Sequence, residues 1–224
     1  MNEPQAVIGD SIVMTYPSAA GPVHVLRGAN IHADRGEIVF VDGPSGSGKT
    51  TLLSILGGIL TPASGRVTIE GKDLTQMLRP ERARLRLARL GFVFQGFNLL
   101  RALTARENIE LPLQALGIGR AERLKMIDAL LERLGLADKG TRRPAQLSGG
   151  EQQRVAIARA LAGSPVVVLA DEPTASLDRE NGAEVMKLLC ELARERKTSV
   201  LIASHDQRIA PFADRIISLV DGRC

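Results

Sequence analysis

Three short stretches of the chain are apolar at every position: Ile38, Val39, Phe40 and Val41; Val166, Val167, Val168 and Leu169; and Val200, Leu201 and Ile202. Unbroken rather than alternating hydrophobicity marks strands covered on both faces, as in a parallel sheet between helical layers. Residues 11–16, 23–31 and 66–70 are strand-like pieces bounded by Gly and Pro, and they predict an antiparallel layer beside that sheet. Helical spacing takes over at 118–136, where Leu124, Ile127, Leu130, Leu131 and Leu134 recur three and four residues apart. It returns at 179–196, with Val185, Leu188, Leu189 and Leu192 on one face. The pattern predicts an α/β core in two halves, parted by a mostly helical insertion at about 97–147. No internal repeat or low-complexity tract interrupts it.

Composition narrows this picture to one folded domain. The 224 residues are 44% hydrophobic and 24% charged, close to the globular average, which excludes wholesale disorder and collagen-like architectures. No apolar run approaches the roughly 20 residues a spanning helix requires. The opening Met1-Asn2-Glu3-Pro4-Gln5 has no basic segment leading into an apolar block, so a cytoplasmic chain is expected. Cys190 and Cys224 are too few for a disulfide framework, and Cys190 falls on the apolar face of the 179–196 helix, where packing is its expected role. The net charge of +4 suits a nucleotide, a nucleic acid or an anionic membrane. Aromatic residues at 3% and the absence of Trp leave no platforms for stacked bases, so no nucleic-acid partner is expected.

The chemistry concentrates after the apolar runs. Gly43-Pro44-Ser45-Gly46-Ser47-Gly48-Lys49-Thr50 follows the first run and precedes Thr51, Leu52 and Leu53, the expected start of a helix. This is the strand, glycine-rich loop and helix of a phosphate-binding loop. Its glycines let backbone N–H groups converge on phosphate oxygens, where the positive end of the helix dipole also points. Lys49 adds a point charge, and the Thr50 hydroxyl is placed to ligate Mg²⁺. The second run ends in Asp171 and Glu172. A buried strand delivers such acids to the carboxyl edge of the sheet, Asp171 toward Mg²⁺ and Glu172 toward an attacking water. Leu147-Ser148-Gly149-Gly150-Glu151-Gln152-Gln153-Arg154 opens a further helix with a hydroxyl and free N–H donors, a second anion site on the same chain.

With these motifs in order, the chain resembles the ATP-binding subunits of ABC transporters from about residue 12 to 222, and the Leu147 to Arg154 segment matches that family's signature. The resemblance implies a phosphate-loop ATPase core with a parallel sheet, an N-terminal antiparallel β layer and a helical signature subdomain. It divides one domain, 1–224, into a core of 1–96 and 163–224 and a helical subdomain of 97–162. ATP with Mg²⁺ is implied on Gly43, Pro44, Ser45, Gly46, Ser47, Gly48, Lys49, Thr50 and Thr51, with Tyr16 stacking on adenine. Thr50, Gln95 and Asp171 are the implied Mg²⁺ residues, and Glu172, His205 and Gln95 the catalytic ones. Ser148, Gly149, Gly150 and Glu151 cover ATP held by a second copy in a head-to-tail homodimer. Ser176 and Asp178 lie in a loop that crosses the interface.

The segments around Gln95, Leu103 to Ile109 and Asp171 to Asp178 resemble most the lipoprotein-release, macrolide-export and glycolipid- or haem-export type. That implies integral membrane permease partners, with room for a periplasmic adaptor, and a peripheral place on the cytoplasmic face of the inner membrane. The chain's end at Cys224, after the last strand, is expected to leave out the C-terminal regulatory domain of sugar importers. A groove beside Gln95, including residues 98–106, is the implied permease contact. The Arg-rich stretch Arg79, Arg82, Arg84, Arg86 and Arg89 reads first as a solvated helix face and second as a contact with membrane partners or anionic headgroups. A regulatory ATPase that signals through a membrane protein and a soluble ABC-type ATPase are the alternative functions.

Overall fold

The computed structural model describes residues 5–19 and 21–224; residues 1–4 of the expected core and Ala20 of the loop at 17–22 lie outside the described residues. The chain opens with a hairpin of β1 (Val7–Tyr16) and β2 (Val23–Ala33). Next come β3 (Ile38–Asp42), α1 (Lys49–Leu56), β4 (Ser64–Ile69), β5 (Lys72–Asp73), α2 (Arg79–Arg89) and β6 (Leu90–Phe94). Three helices follow, α3 (Ala105–Ala115), α4 (Arg120–Arg133) and α5 (Gly149–Ala162). The remainder is β7 (Val167–Asp171), α6 (Arg179–Glu195), β8 (Ser199–Ser204) and β9 (Arg215–Ser218).

Two sheets result. One is antiparallel, in the order β2-β1-β4-β5, and the other has five strands in the order β6-β7-β8-β3-β9, all paired in parallel. The apolar runs alternate between two cores. Ile38, Phe40, Val168, Ala170, Val200 and Ile202 pack with residues of α3, α4, α5 and α6, whereas Val39, Val41, Val167, Leu169, Leu201 and Ala203 pack with α1 and the antiparallel sheet. Successive side chains of a strand point to opposite faces, and here both faces are covered, so neither tolerates a polar residue. Each fully buried Val, Leu, Ile or Phe contributes about 1.5–3 kcal/mol.

The parallel register sets the site. Phe94 lies opposite Asp171, Asp171 opposite Ala203, and Asp42 opposite Ser204, so β6, β7, β8 and β3 end together. The residues that follow them, Gln95, Glu172, His205 and Gly43, therefore leave the sheet at one edge.

Several elements differ from the sequence pattern. Strands β6 and β9 form the two edges of the parallel sheet, and their burial is incomplete, with Ile216 about half exposed. Of the two, β9 lacks the continuous apolar run of the central strands, whereas β6 carries one in Phe92, Val93 and Phe94. The expected helix at 118–136 is the shorter α4, because Gly135 takes a positive φ of 65° and turns the chain while Leu134 and Leu136 remain buried. The Arg-rich face of α2 is solvated at Arg79, Arg84 and Arg89, whereas Arg82 and Arg86 are half-buried. Arg82 donates to Thr61 Oγ1 at 2.7 Å and to the Met77 carbonyl at 3.2 Å, Arg86 donates to the Gly58 carbonyl at 3.0 Å, and Arg89 pairs with Glu70 at 3.2 Å. These three side chains staple α2 to the loop after α1 and to the end of β4. Arg79 and Arg84 point to solvent.

Candidate functional site

The loop between β3 and α1 is built around two glycines that no other residue replaces. A Cβ at Gly43 would sit 2.3 Å from the Leu219 carbonyl oxygen, and Gly48 holds a left-handed φ of 104° immediately before α1. Helix α1 opens with no side-chain cap, so the N–H groups of its first turn lack partners within the helix and point out of its N-terminus. Lys49 is buried, and its Nζ donates to the carbonyls of Gly43 at 2.6 Å and Pro44 at 3.0 Å, with no carboxylate among its partners. Ser47 Oγ is buried without a hydrogen-bond partner. Free donors, a helix N-terminus and a buried cation held only by carbonyl hydrogen bonds line a cradle that suits phosphate oxygens.

The cradle forms one wall of a cavity of about 360 Å³ that Gln95, Glu172, His205, Val25 and Ala175 close from other sides. Thr50 Oγ1 donates to Asp171 Oδ1 at 3.0 Å, tying α1 to the end of β7. Burial holds the Asp171 carboxyl above its ordinary range and the Glu172 charge pushes the same way, while the Thr50 hydrogen bond and Lys49 act against them. A divalent ion would relieve that strain directly. Among the described residues no group of three or more His, Cys, Asp or Glu could hold a metal alone. One hydroxyl and one carboxylate, with phosphate oxygens and water supplying the rest, suit the octahedral oxygen chemistry of Mg²⁺.

Glu172 takes a left-handed φ of 47°, and its N–H donates to the Ala203 carbonyl at 2.8 Å. Its carboxylate is held from two sides: Ser204 Oγ donates to Oε2 at 2.6 Å, and His205 Nδ1 lies 2.8 Å from Oε1. Gln95 lines the same cavity, and its carbonyl accepts from Ser176 Oγ at 3.0 Å. Asp178 caps α6 by accepting from the Asn181 N–H at 3.0 Å.

The signature residues lie elsewhere. Ser148 is exposed and caps α5, accepting from the Glu151 N–H at 3.2 Å while its own N–H donates to Glu151 Oε2 at 2.8 Å. Neither Ser148, Gly149, Gly150 nor Glu151 lines the phosphate-loop cavity. Tyr16 stands exposed at the end of β1, opposite Val23, also outside the cavity lining.

Other residues at the site had no role assigned from the sequence. Ser204 is fully buried and orients Glu172, and Gln153 donates from α5 to the Pro173 carbonyl at 2.6 Å, next to the acid pair. Arg159, also on α5, donates to the carbonyls of Phe97 and Asn98, just beyond Gln95. Ser204 had one available signal, its place at the end of a buried strand directly before His205, and Gln153 had its place in the Leu147 to Arg154 segment; Arg159 had none.

Residues 26–175 match the family model described as ABC transporter. The chain is 45% identical over 212 residues to the macrolide export ATP-binding/permease protein MacB of Burkholderia pseudomallei, covering 95% of this chain and 32% of that one. An uncharacterised ABC transporter ATP-binding protein of Mycobacterium tuberculosis is 44% identical, covering 93% of this chain and 63% of its own. The chain thus spans about a third of the length of the macrolide export relative and under two thirds of the other. Among solved structures, the dimeric post-hydrolysis state of the ATP-binding cassette MJ0796, bound to ADP and Pi, superposes with a TM-score of 0.89 at 40% identity, covering 97% of this chain and 95% of that one. The cbiO1 structure from Clostridium perfringens, part of the ABC transporter complex cbiONQ, gives 0.86 at 32% identity, covering 99% and 87%. With the phosphate loop and acid pair at one sheet edge and the family model spanning both, the chain belongs to the ABC transporter family as an ATP-binding ATPase cassette.

Proposed function

We propose that this chain is the ATP-hydrolysing, energy-coupling unit of an ABC membrane transporter, an exporter or mechanotransmission system, and that it works as a head-to-tail pair. One observation carries the reading: the exposed helix start at Ser148 does not line the cavity of the phosphate cradle, so the two surfaces of one chain do not meet. A second copy, turned about a twofold axis, brings the Ser148 surface of each chain over the cradle of the other. The dimeric MJ0796 cassette supports that arrangement, and the macrolide export relatives support the exporter reading.

In this scheme Lys49 trades its carbonyl partners for phosphate oxygens, and the uncapped N–H groups of α1 take the others. Tyr16 stacks on the adenine. Thr50 and Asp171 would hold Mg²⁺, with Gln95 beside them, and the ion supplies positive charge to the phosphate oxygens when bound. Ser204 and His205 hold Glu172 so that its carboxylate orients a water and accepts its proton. Ser148, Gly149 and Gly150 of the second copy complete the anion site, Glu151 pins that helix start, and Ser176 and Asp178 shape the loop between the two chains. We assign residues 1–96 and 163–224 to the catalytic core and 97–162 to the helical subdomain.

No helix among the described residues is long and apolar enough to cross a membrane. The energy is delivered to integral membrane permease subunits, with a periplasmic adaptor beyond them where one is used, from a peripheral place on the cytoplasmic face of the inner membrane. The assigned permease contact is the surface beside Gln95 that includes residues 98–106, and Asn98 there also lines a neighbouring groove of about 340 Å³ with Phe92, Phe94 and Pro112.

Glu172→Gln tests the scheme. The variant is expected to bind Mg-ATP, lose turnover by at least about a hundredfold, and run as a dimer with ATP in size exclusion with light scattering. Normal turnover would remove Glu172 from its role, and a monomer under every nucleotide condition would remove the pair.

A further inference from the structure

Helix α5 reaches the segment beyond Gln95 with a cation, Arg159, that pairs with no acidic side chain among the described residues. Arg159 donates Nη1 to the Asn98 carbonyl at 2.6 Å and Nη2 to the Phe97 carbonyl at 3.0 Å. Phe97 and Asn98 both take the left-handed backbone conformation, with φ of 61° and 49°, which residues with side chains rarely adopt even singly. The Asn98 N–H also turns back to the Gly96 carbonyl at 2.6 Å. Two consecutive left-handed residues persist only where their surroundings over-determine them, and the guanidinium fork supplies that constraint by gripping both carbonyls at once. Burial lowers the Arg159 pKa, in keeping with a cation taken out of water to serve carbonyls alone.

The same segment touches the other end of α5. A Cβ built on Gly149 would lie 3.8 Å from Phe97 Cζ, so the Phe97 ring rests against the signature helix start while its carbonyl is held by Arg159. On the other side, Ser176 holds the Gln95 carbonyl at 3.0 Å. The segment is thus anchored at the Gln95 carbonyl by Ser176 and at the two carbonyls of Phe97 and Asn98 by Arg159.

We propose that Arg159 is a positioning residue for hydrolysis: by clamping the Phe97 and Asn98 carbonyls to α5, it fixes the loop that aims Gln95 into the phosphate cavity. This rests on the reading of Gln95 as the residue that meets Mg²⁺ and the attacking water. Arg159 itself touches no nucleotide. Its removal therefore lowers the rate of the chemical step and leaves nucleotide affinity in place, and the loss disappears once Gln95 is gone.

The test is a double-mutant cycle. Arg159→Met and Arg159→Lys are each made alone and with Gln95→Ala, and kcat and KM for Mg-ATP are measured, with a fluorescent ATP analogue reporting affinity and thermal unfolding reporting fold. Arg159→Met is expected to lower kcat about tenfold with KM within about twofold, and Arg159→Lys to recover part of the loss through one retained donor. In the Gln95→Ala background, Arg159→Met is expected to change kcat by less than about twofold. A loss that multiplies in that background, or an unchanged kcat, overturns the role. Should Arg159→Met fail to fold, the Arg159→Lys arm decides by the same criterion. Wild-type chain that neither binds nor hydrolyses Mg-ATP overturns the functional reading and this role together, whereas wild-type turnover with an unaffected Arg159 series overturns only the latter.

Discussion

His205 Nδ1 lies 2.8 Å from Glu172 Oε1, across the gap between the ends of two neighbouring strands. Ser204, the residue before it, donates to the other carboxylate oxygen at 2.6 Å. Two consecutive residues at the end of β8 therefore hold both oxygens of the carboxylate that follows β7. The left-handed backbone at Glu172 turns its side chain to meet them. Both oxygens of the carboxylate are thereby held in a fixed orientation.

Ser204→Ala leaves Glu172 Oε2 without its donor and adds no bulk. Loss of one hydrogen bond to a charged group is worth about 1.5–3 kcal/mol, so kcat is expected to fall about 10–150-fold if the whole bond acts on the chemical step. Nucleotide affinity should stay near wild type. A steady-state comparison of kcat and KM checks both halves, and a rise in KM with kcat intact would contradict the orienting role.

Asp171→Asn tests the buried carboxyl through pH. The folded chain holds this carboxyl above its ordinary value of 3.8, so its ionised form destabilises the nucleotide-free fold. That cost is absent where folded and unfolded chains are both protonated, grows as pH rises through the acid range, and is complete above the raised value. Asparagine escapes it and keeps an oxygen for Thr50. The nucleotide-free variant should unfold at a higher temperature than wild type near neutral pH, with the gap closing as pH falls toward 3.8. Thermal scans across pH measure this, and a gap of constant size would contradict it. Mg-ATP turnover should be lost in the same variant.

Lys49→Met preserves the length of a buried side chain and deletes its charge. The carbonyls of Gly43 and Pro44 then lose their donor, at a cost of about 1–3 kcal/mol in stability. ATP affinity should fall much further, because the cradle loses its one cation. Urea unfolding and ATP titration separate the two, and undiminished affinity would remove Lys49 from the phosphate site.

Ser148→Arg places a long cation where the second copy's phosphates are to approach, and it removes the cap of α5. The lost cap should cost about 1 kcal/mol of stability. ATP binding by the single chain should be unchanged, since Ser148 does not line the cavity, while ATP-driven dimerisation should fail. Dimerisation of the variant with ATP, followed by sedimentation, would contradict the composite site.

Much of the site was legible because its chemistry is contiguous. The phosphate loop, the acid pair and the signature are each short segments whose glycines, hydroxyls and charges act within a few residues, and the central strands betray themselves by unbroken apolar runs. The edge strand β9 did not, since an edge escapes the burial that makes such a run necessary, and in β6 the run from Phe92 to Phe94 is short and follows Gly91. Arg82 and Arg86 looked like part of a solvated stripe because helical spacing says which side chains share a face and nothing about what that face meets.

From its sequence alone, the chain determined a phosphate-loop α/β domain with glycine-rich helix starts at Gly48 and Ser148, since local backbone geometry and burial dictate those residue types in order. Tertiary structure decided that Gln95, Glu172, His205 and Gly43 leave the sheet at one edge and that the Ser148 surface does not join them. It alone also set Ser204 against Glu172 and Arg159 against the carbonyls beyond Gln95. These contacts span tens of residues and use ordinary side chains and backbone carbonyls, so only the register of the parallel strands and the packing of α5 could select them.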